Sequence, residues 1–136
     1  MDLDEARAFI RDNHRGVLGT TRTDGRPQLS PVSATVDGAG RVVVSSREPA
    51  YKVRNLRRTP YASYCALNDG FFGRWLQVEG PVEIVALPDA MDGLVDYYRS
   101  ISGEHPDWDD YRAAMERDQR VLIAITVTRA GPDVAG

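Results

Sequence analysis

Cysteine and histidine are scarce in this chain, with one cysteine and two histidines among 136 residues. A lone thiol, Cys65, excludes an internal disulfide. It sits in the apolar run Tyr61-Ala-Ser-Tyr-Cys-Ala-Leu67, where a free cysteine is expected to act as a small buried hydrophobe. A catalytic thiol needs an electropositive site and a base. The two histidines, His14 and His105, fall in segments that read as surface loops. No His/Cys spacing suits a metal ion, so no metal site is expected. A nucleophilic triad lacks its base, and neither a Walker A loop nor a Gly-x-Gly-x-x-Gly fingerprint is present. Glu79 and Glu83 lie four apart on one expected strand face, a spacing that assigns no catalysis by itself.

Long apolar runs are missing as well, none reaching the roughly 18 residues of a membrane-spanning helix. The acidic start Met1-Asp-Leu-Asp-Glu5 lacks the pattern of a secretory signal, which makes a cytoplasmic location the expectation. Positive charge is in deficit: the net charge of −3 argues against a nucleic-acid-binding protein. Any anion site must therefore be a local basic cluster within an acidic molecule. Hydrophobic content of 42% and charged content of 27% are those of a globular fold. The length suits one domain, residues 1–136, burying roughly two-thirds of the surface of the unfolded chain. No internal repeat or low-complexity tract interrupts it.

What is present reads as an α+β protein. Leu3, Ala6, Phe9 and Ile10 at helical spacing predict an amphipathic helix over 2–13. Strands follow at 16–22 and 27–36, with Asp24-Gly25 as a two-residue hairpin signal. Pro27 and Pro31 cannot donate to a ladder, so this second strand is an edge or carries a bulge near Pro31. Asp37 to Gly40 makes a turn, and a third strand covers 41–46. Pro49 opens a short helix over 50–58, and a fourth strand covers 61–67. Trp75 to Val85 is a long fifth strand with a bend at Gly80-Pro81. Two helices follow, after Pro88 and around Trp108 to Met115, then a sixth strand over 121–127 and a frayed tail from Arg129. Six strands with flanking helices predict a mostly antiparallel barrel.

The segment Ser45-Ser-Arg-Glu-Pro-Ala-Tyr-Lys-Val-Arg-Asn-Leu-Arg-Arg58 holds the chemistry. Ser45 and Ser46 end a strand, and Lys52, Arg54 and Asn55 follow at the start of a helix, with Arg57 and Arg58 extending the charge. Hydroxyl, ammonium and guanidinium donors at a helix start are what a phosphate monoester needs; a solvated basic helix face is the other reading. Strand alternation places Gln28, Ser30 and Val32 on one face, and Leu29 and Pro31 on the other. An edge strand of this kind offers backbone groups to a flat heterocycle, or is simply a polar outer face. Trp75, beside the loop Gly70-Phe-Phe-Gly-Arg74, floors a pocket or joins a core or dimer interface.

The pieces Gly16-Val-Leu-Gly-Thr-Thr21, Asp24-Gly-Arg-Pro-Gln-Leu-Ser30, Lys52-Val-Arg-Asn-Leu-Arg-Arg-Thr-Pro60, Val78-Glu-Gly80 and Tyr98-Arg-Ser-Ile-Ser-Gly-Glu-His-Pro-Asp-Trp-Asp-Asp-Tyr-Arg112 run in order. Together, across residues 3–128, they resemble the pyridoxamine-phosphate-oxidase-like split β-barrels. Within that group they look most like the actinobacterial class that binds the deazaflavin cofactor F420 rather than FMN. The resemblance implies a homodimer with two cofactor grooves at its interface. It places the cofactor phosphate on Ser45, Ser46, Lys52 and Arg54, and the ring along Gln28 to Val32. Arg57 or Arg58 would meet the phosphate or the poly-glutamate tail, and Trp75 would border the substrate side. It further implies hydride transfer between F420 and a small electron-poor acceptor, with an FMN-binding oxidase or reductase and a non-catalytic F420 carrier as alternatives. No side chain is assigned as catalytic, the proton coming from water, Tyr51 or His105. The match to true pyridoxamine phosphate oxidases is poorer, because their arginine-rich C-terminal motif is replaced by Thr128-Arg-Ala-Gly-Pro-Asp-Val-Ala-Gly136, with one arginine.

Overall fold

An acidic N-cap starts the chain: the Asp2 carboxylate accepts the Asp4 N–H at 2.9 Å, opening helix α1 (Leu3–Asp12). The computed structural model describes residues 1–70 and 72–135; Phe71, in the Gly70–Arg74 loop, and Gly136 lie outside them. Strands β1 (Arg15–Thr21) and β2 (Pro27–Ser33) pair antiparallel, followed by β3 (Thr35–Val36) and β4 (Val42–Arg47). Then come α2 (Tyr51–Arg58), β5 (Tyr61–Leu67), β6 (Arg74–Val85), α3 (Met91–Ser102), α4 (Trp108–Arg117), β7 (Arg120–Ile125) and β8 (Arg129–Ala135). The strand order is β2-β1-β5-β6-β7-β4-β3, all antiparallel, with β8 added against β6. The fold is the expected α+β antiparallel split barrel.

Four details differ from the sequence reading. There are eight strands among the described residues rather than six. One addition arises because Ala34 interrupts the expected 27–36 strand, its N–H going to the His14 carbonyl at 2.7 Å. The other is the tail: Arg129 onward is strand β8, fastened by two bonds from Arg74 to Asp133 at 2.7 and 2.8 Å. The first hairpin closes through three residues, Thr23 to Gly25, with Gly25 at φ 86° supplying the left-handed position. Cys65 is half-buried on the outer sheet face rather than fully buried, its thiol pushed up by desolvation. Pro31 lies in an unbroken register with Val17, so β2 is an edge strand without a bulge.

The barrel interior is lined by Leu18, Val42, Val44, Tyr64, Leu76, Val78, Ile123 and Ile125, with α1 and α2 plugging it through Ile10, Val53 and Leu56. A second cluster, Val43, Leu122, Ala124, Leu94, Val95 and Tyr111, packs α3 and α4 on the opposite face of β4 and β7. The Tyr111 hydroxyl donates to the Leu94 carbonyl at 2.8 Å, and burial pushes its pKa up to about 12. Strand β6 pairs with β5 through Pro81 and with β7 from Val82, so the expected bend at Gly80-Pro81 is where it changes partners. The bend also separates the two glutamates: Glu79 accepts from the Tyr61 hydroxyl at 2.9 Å, while Glu83 faces Arg41 at 4.0 Å. No helix among the described residues is long and apolar enough to cross a membrane.

Candidate functional site

Helix α2 leaves the end of β4 and crosses β1, carrying a different chemistry on each side. Toward the β1–β2 hairpin, Tyr51, Arg54, Asn55 and Arg58 line a cleft of about 480 Å³ together with Arg22 and Gln28. Asn55 is the anchor of this wall. It is buried, its Nδ2 donates to Thr20 Oγ1 at 3.1 Å, and its Oδ1 accepts from Arg58 at 2.9 Å. Arg58 also donates to the Thr21 carbonyl at 2.8 Å. Thr20 in turn donates to Gln28 Oε1 at 3.3 Å, and the Gln28 amide reaches Ser30 Oγ at 2.7 Å. One hydrogen-bonded chain thus runs from α2 to the edge strand. Asn55→Ala removes a buried member of this chain and strips Thr20 and Arg58 of a partner. The expected cost is about 1–3 kcal/mol of stability, read as a shift of the urea unfolding midpoint.

Along β2 the predicted alternation is observed. Gln28, Ser30 and Val32 are half-buried, while Leu29, at 65% exposure, and Pro31 face outward. The remaining predicted residues divide. Ser45 is half-buried, but Ser46 is 2% exposed and its hydroxyl turns to the Arg47 carbonyl. Arg54 is exposed, its guanidinium 5.9 Å from the Tyr51 ring centre. Arg57 points away from the cleft into a two-bond ion pair with Glu48, both contacts at 2.7 Å. Trp75 is half-buried at the far end of the sheet, in a row with Leu67, Arg15 and Ser33. It does not line the cleft at Gln28. Of the two side chains considered as proton donors, Tyr51 lines the cleft. His105 instead lies in the α3–α4 turn, ringed by Tyr98, Trp108 and Tyr111 at 5.1–5.7 Å.

On the other side of α2, Lys52 is half-buried and its ammonium is pushed down, first by desolvation and then by the charge of Arg120. Arg120 opens β7 opposite Arg47, and its Nε is buried without a hydrogen-bond partner among the described residues. Tyr97, from α3, donates to the Ser33 carbonyl at 2.7 Å, its phenol raised mainly by burial. Arg22, Tyr97 and Arg120 escaped the sequence reading. Arg22 carries a strand-end position that only the hairpin register brings to the cleft, and the other two come from distant segments.

A pH dependence follows from Lys52. An anion held there binds the ammonium form, and that form is lost at lower pH than for an exposed lysine. Anion affinity is expected to decline as pH rises, beginning below the ordinary lysine range, with Lys52→Arg abolishing the decline. The free protein shows the opposite sign. Between the depressed folded value and the unfolded one, the unfolded chain binds more protons, so stability rises with pH. Isothermal titration with a phosphate ester across alkaline pH, beside denaturant unfolding, checks both.

Three comparisons bear on this arrangement. A conserved hypothetical protein from Mycobacterium tuberculosis is 26% identical, superposes with a TM-score of 0.77, and is matched over 96% of this chain and 82% of its own. A protein described as an F420 reductase is 24% identical with a TM-score of 0.70, over 92% of this chain and 94% of its own. A heme binding protein from Mycobacterium smegmatis is 19% identical with a TM-score of 0.71, over 98% of this chain and 57% of its own. Below 25% identity such likeness speaks for the fold alone, and proteins of differing description share it. The family profile of pyridoxamine 5'-phosphate oxidase reaches further, matching residues 3–131, from the first residue of α1 into β8. With both the edge strand and the α2 cations inside that match, the chain belongs to the pyridoxamine 5'-phosphate oxidase family.

Proposed function

We propose that this chain binds the deazaflavin F420 along β2 and α2 and works as an oxidoreductase on small electron-poor organic acceptors. The observation that carries the reading is the single cleft in which the half-buried polar edge of β2 meets the cationic face of α2, at Gln28. Membership of a family with flavin-type cofactors supports the cofactor class, and the description of one structural relative as an F420 reductase supports the deazaflavin. The residues present fit a phosphorylated heterocycle. Lys52 is a half-buried cation with no carboxylate within 4.0 Å among the described residues, so the protein has already met the cost of desolvating it. Backbone groups of β2 and the Gln28 and Ser30 side chains supply donors and acceptors for a ring edge.

When bound, the deazaflavin supplies a hydride from its C5 to an enone-like double bond or a quinone-like ring. The protein's part is to hold ring and acceptor at contact distance and to keep the phosphoryl end fixed. Tyr51 is exposed and lines the cleft. We further propose a homodimer. The outer face of the β2-β1-β5-β6 sheet presents Leu29, Val17, Cys65, Leu67 and Trp75, a half-exposed apolar surface that a second copy covers. Sedimentation at micromolar concentration should give twice the chain mass; a monomer at all concentrations refutes this part.

Stopped-flow oxidation of reduced F420 by a panel of enones and quinones tests the activity. Acceptor-dependent oxidation that saturates and exceeds the rate of free cofactor is expected. If no acceptor reacts faster than with free cofactor, the chain is a carrier. If yellow flavin co-purifies from a host lacking F420, FMN is the cofactor instead.

A further inference from the structure

We propose that the Tyr97 hydroxyl is a spacer between β2 and β4 that fixes the strand edge on which the cofactor ring lies. Tyr97 is thus a positioning residue, acting through the Ser33 backbone. The ring rests on the cofactor reading above; the spacer rests on the structure.

Strand β2 has a ladder on one side only, with β1. At the two ends of that pairing, Arg22 N–H donates to the Arg26 carbonyl at 2.8 Å and Ala34 N–H to the His14 carbonyl at 2.7 Å. Backbone groups alternate sides along an antiparallel strand. The even-numbered residues of β2 therefore face β1, while Leu29, Pro31 and Ser33 turn their backbone groups to the free edge. Beyond Ala34 the chain enters β3 and joins β4, with Thr35 opposite Val43 and Val36 opposite Val42. Carried back by two residues, that register would set Ser33 opposite Ser45. Yet β2 and β4 share no ladder among the described residues.

The Tyr97 hydroxyl stands in the place of the missing bond. It donates to the Ser33 carbonyl at 2.7 Å. The Ser45 backbone N–H approaches the same oxygen and works against the rise that burial imposes on the phenol. Burial prevails, so the hydroxyl stays protonated and keeps donating at neutral pH. Three residues on, along the same side of α3, Ser100 Oγ lies 2.7 Å from Thr35 Oγ1. Two hydroxyls of α3 therefore hold the chain on either side of Ala34, whose carbonyl meets His14 Nδ1 at 2.9 Å. The helix itself is seated by Leu94 and Val95 in the second apolar cluster, against which Tyr97 packs. Packing places the helix, and the hydroxyl is left to set how β2 stands from β4. Without it, the edge that offers the Leu29 and Pro31 backbone to the ring has one end loose.

Tyr97→Phe keeps the packed ring, so the strands stay apart, and removes only the tie. F420 affinity should fall roughly five- to tenfold, the scale of one hydrogen bond. The visible absorption band of bound F420 should shift, while the urea midpoint stays close to native. Ser100→Ala, which frees only Thr35, should lower affinity less. Amide exchange of the unliganded protein, followed by NMR, reads the spacer without any cofactor. Ser45 N–H should be protected in the native protein and exchange faster in Tyr97→Phe. Fast Ser45 exchange in the native protein overturns the spacer, whatever the fold of the variant. Unchanged affinity with an unshifted band overturns the positioning role and leaves the cofactor reading standing. A midpoint that falls with the affinity, while the bound spectrum stays native, makes Tyr97 merely structural and overturns it too. If neither F420 nor FMN binds the native protein, the cofactor reading falls and Ser45 exchange alone decides the spacer. Faster exchange in the variant then upholds it, and equal exchange overturns it.

Discussion

Gly80→Val is expected to lose about 4 kcal/mol or more of stability, enough to leave much of the protein unfolded. A Cβ at Gly80 would collide with the Thr126 carbonyl oxygen and crowd the Thr128 N–H. These are backbone atoms, so no rotamer change relieves the overlap. They are also held: Thr126 donates to the Pro81 carbonyl at 2.9 Å and Thr128 to the Glu79 carbonyl at 3.0 Å. Overpacking alone costs roughly 1–3 kcal/mol. Here the strand must also retreat from two hydrogen bonds, each contributing about 0.5–1.5 kcal/mol. The whole stability of a domain is only about 5–15 kcal/mol. Soluble yield and urea unfolding check the result. Gly38→Ala is the control, since none of the described residues lies within 4 Å of its added carbon, and it should be near neutral. A Gly80→Val protein with the native midpoint would show that β6 does not turn this corner as described.

Lys52→Ala should weaken F420 binding by about 1.5–3 kcal/mol, roughly ten- to hundredfold in Kd, the scale of a charged hydrogen bond. The same change should leave the stability of the unliganded protein intact. Among the described residues Lys52 has no carboxylate partner whose loss would strand a charge, and its removal relieves repulsion from Arg120. Affinity and stability therefore separate in this variant. A structural role would lower both together, and unchanged affinity with an intact fold would remove Lys52 from the site. Fluorescence titration beside thermal melts reads the two quantities on one sample.

Local chemistry made much of this protein legible in its sequence. The 3.6-residue period of Ala6, Phe9 and Ile10 found α1, and prolines at 27 and 31 marked β2 as an edge strand. Gly80-Pro81 marked a bend because a side-chain-free residue is needed where another backbone passes. Legibility ended where partners are remote. Nothing near Arg129 announces that Asp133 will meet Arg74 and turn a tail into a strand. Ser45 and Ser46 look equivalent in the sequence, yet strand alternation buries one of them among core residues. Arg57 and Arg58 are neighbours on one helix, and only the fold decides that Arg57 answers Glu48 while Arg58 braces the cleft. Arg120 carries no local signal of its relation to Lys52, because the β4–β7 register creates it.

Whether β2 and the two sides of α2 together grip a phosphorylated ring is best judged by titrating the purified chain with F420 and with FMN, following tryptophan emission. A Trp108→Phe background leaves Trp75 as the sole emitter. F420 should bind saturably at one molecule per chain, and more tightly than FMN. No saturable change with either ligand, confirmed by equilibrium dialysis, would contradict the assignment of this site.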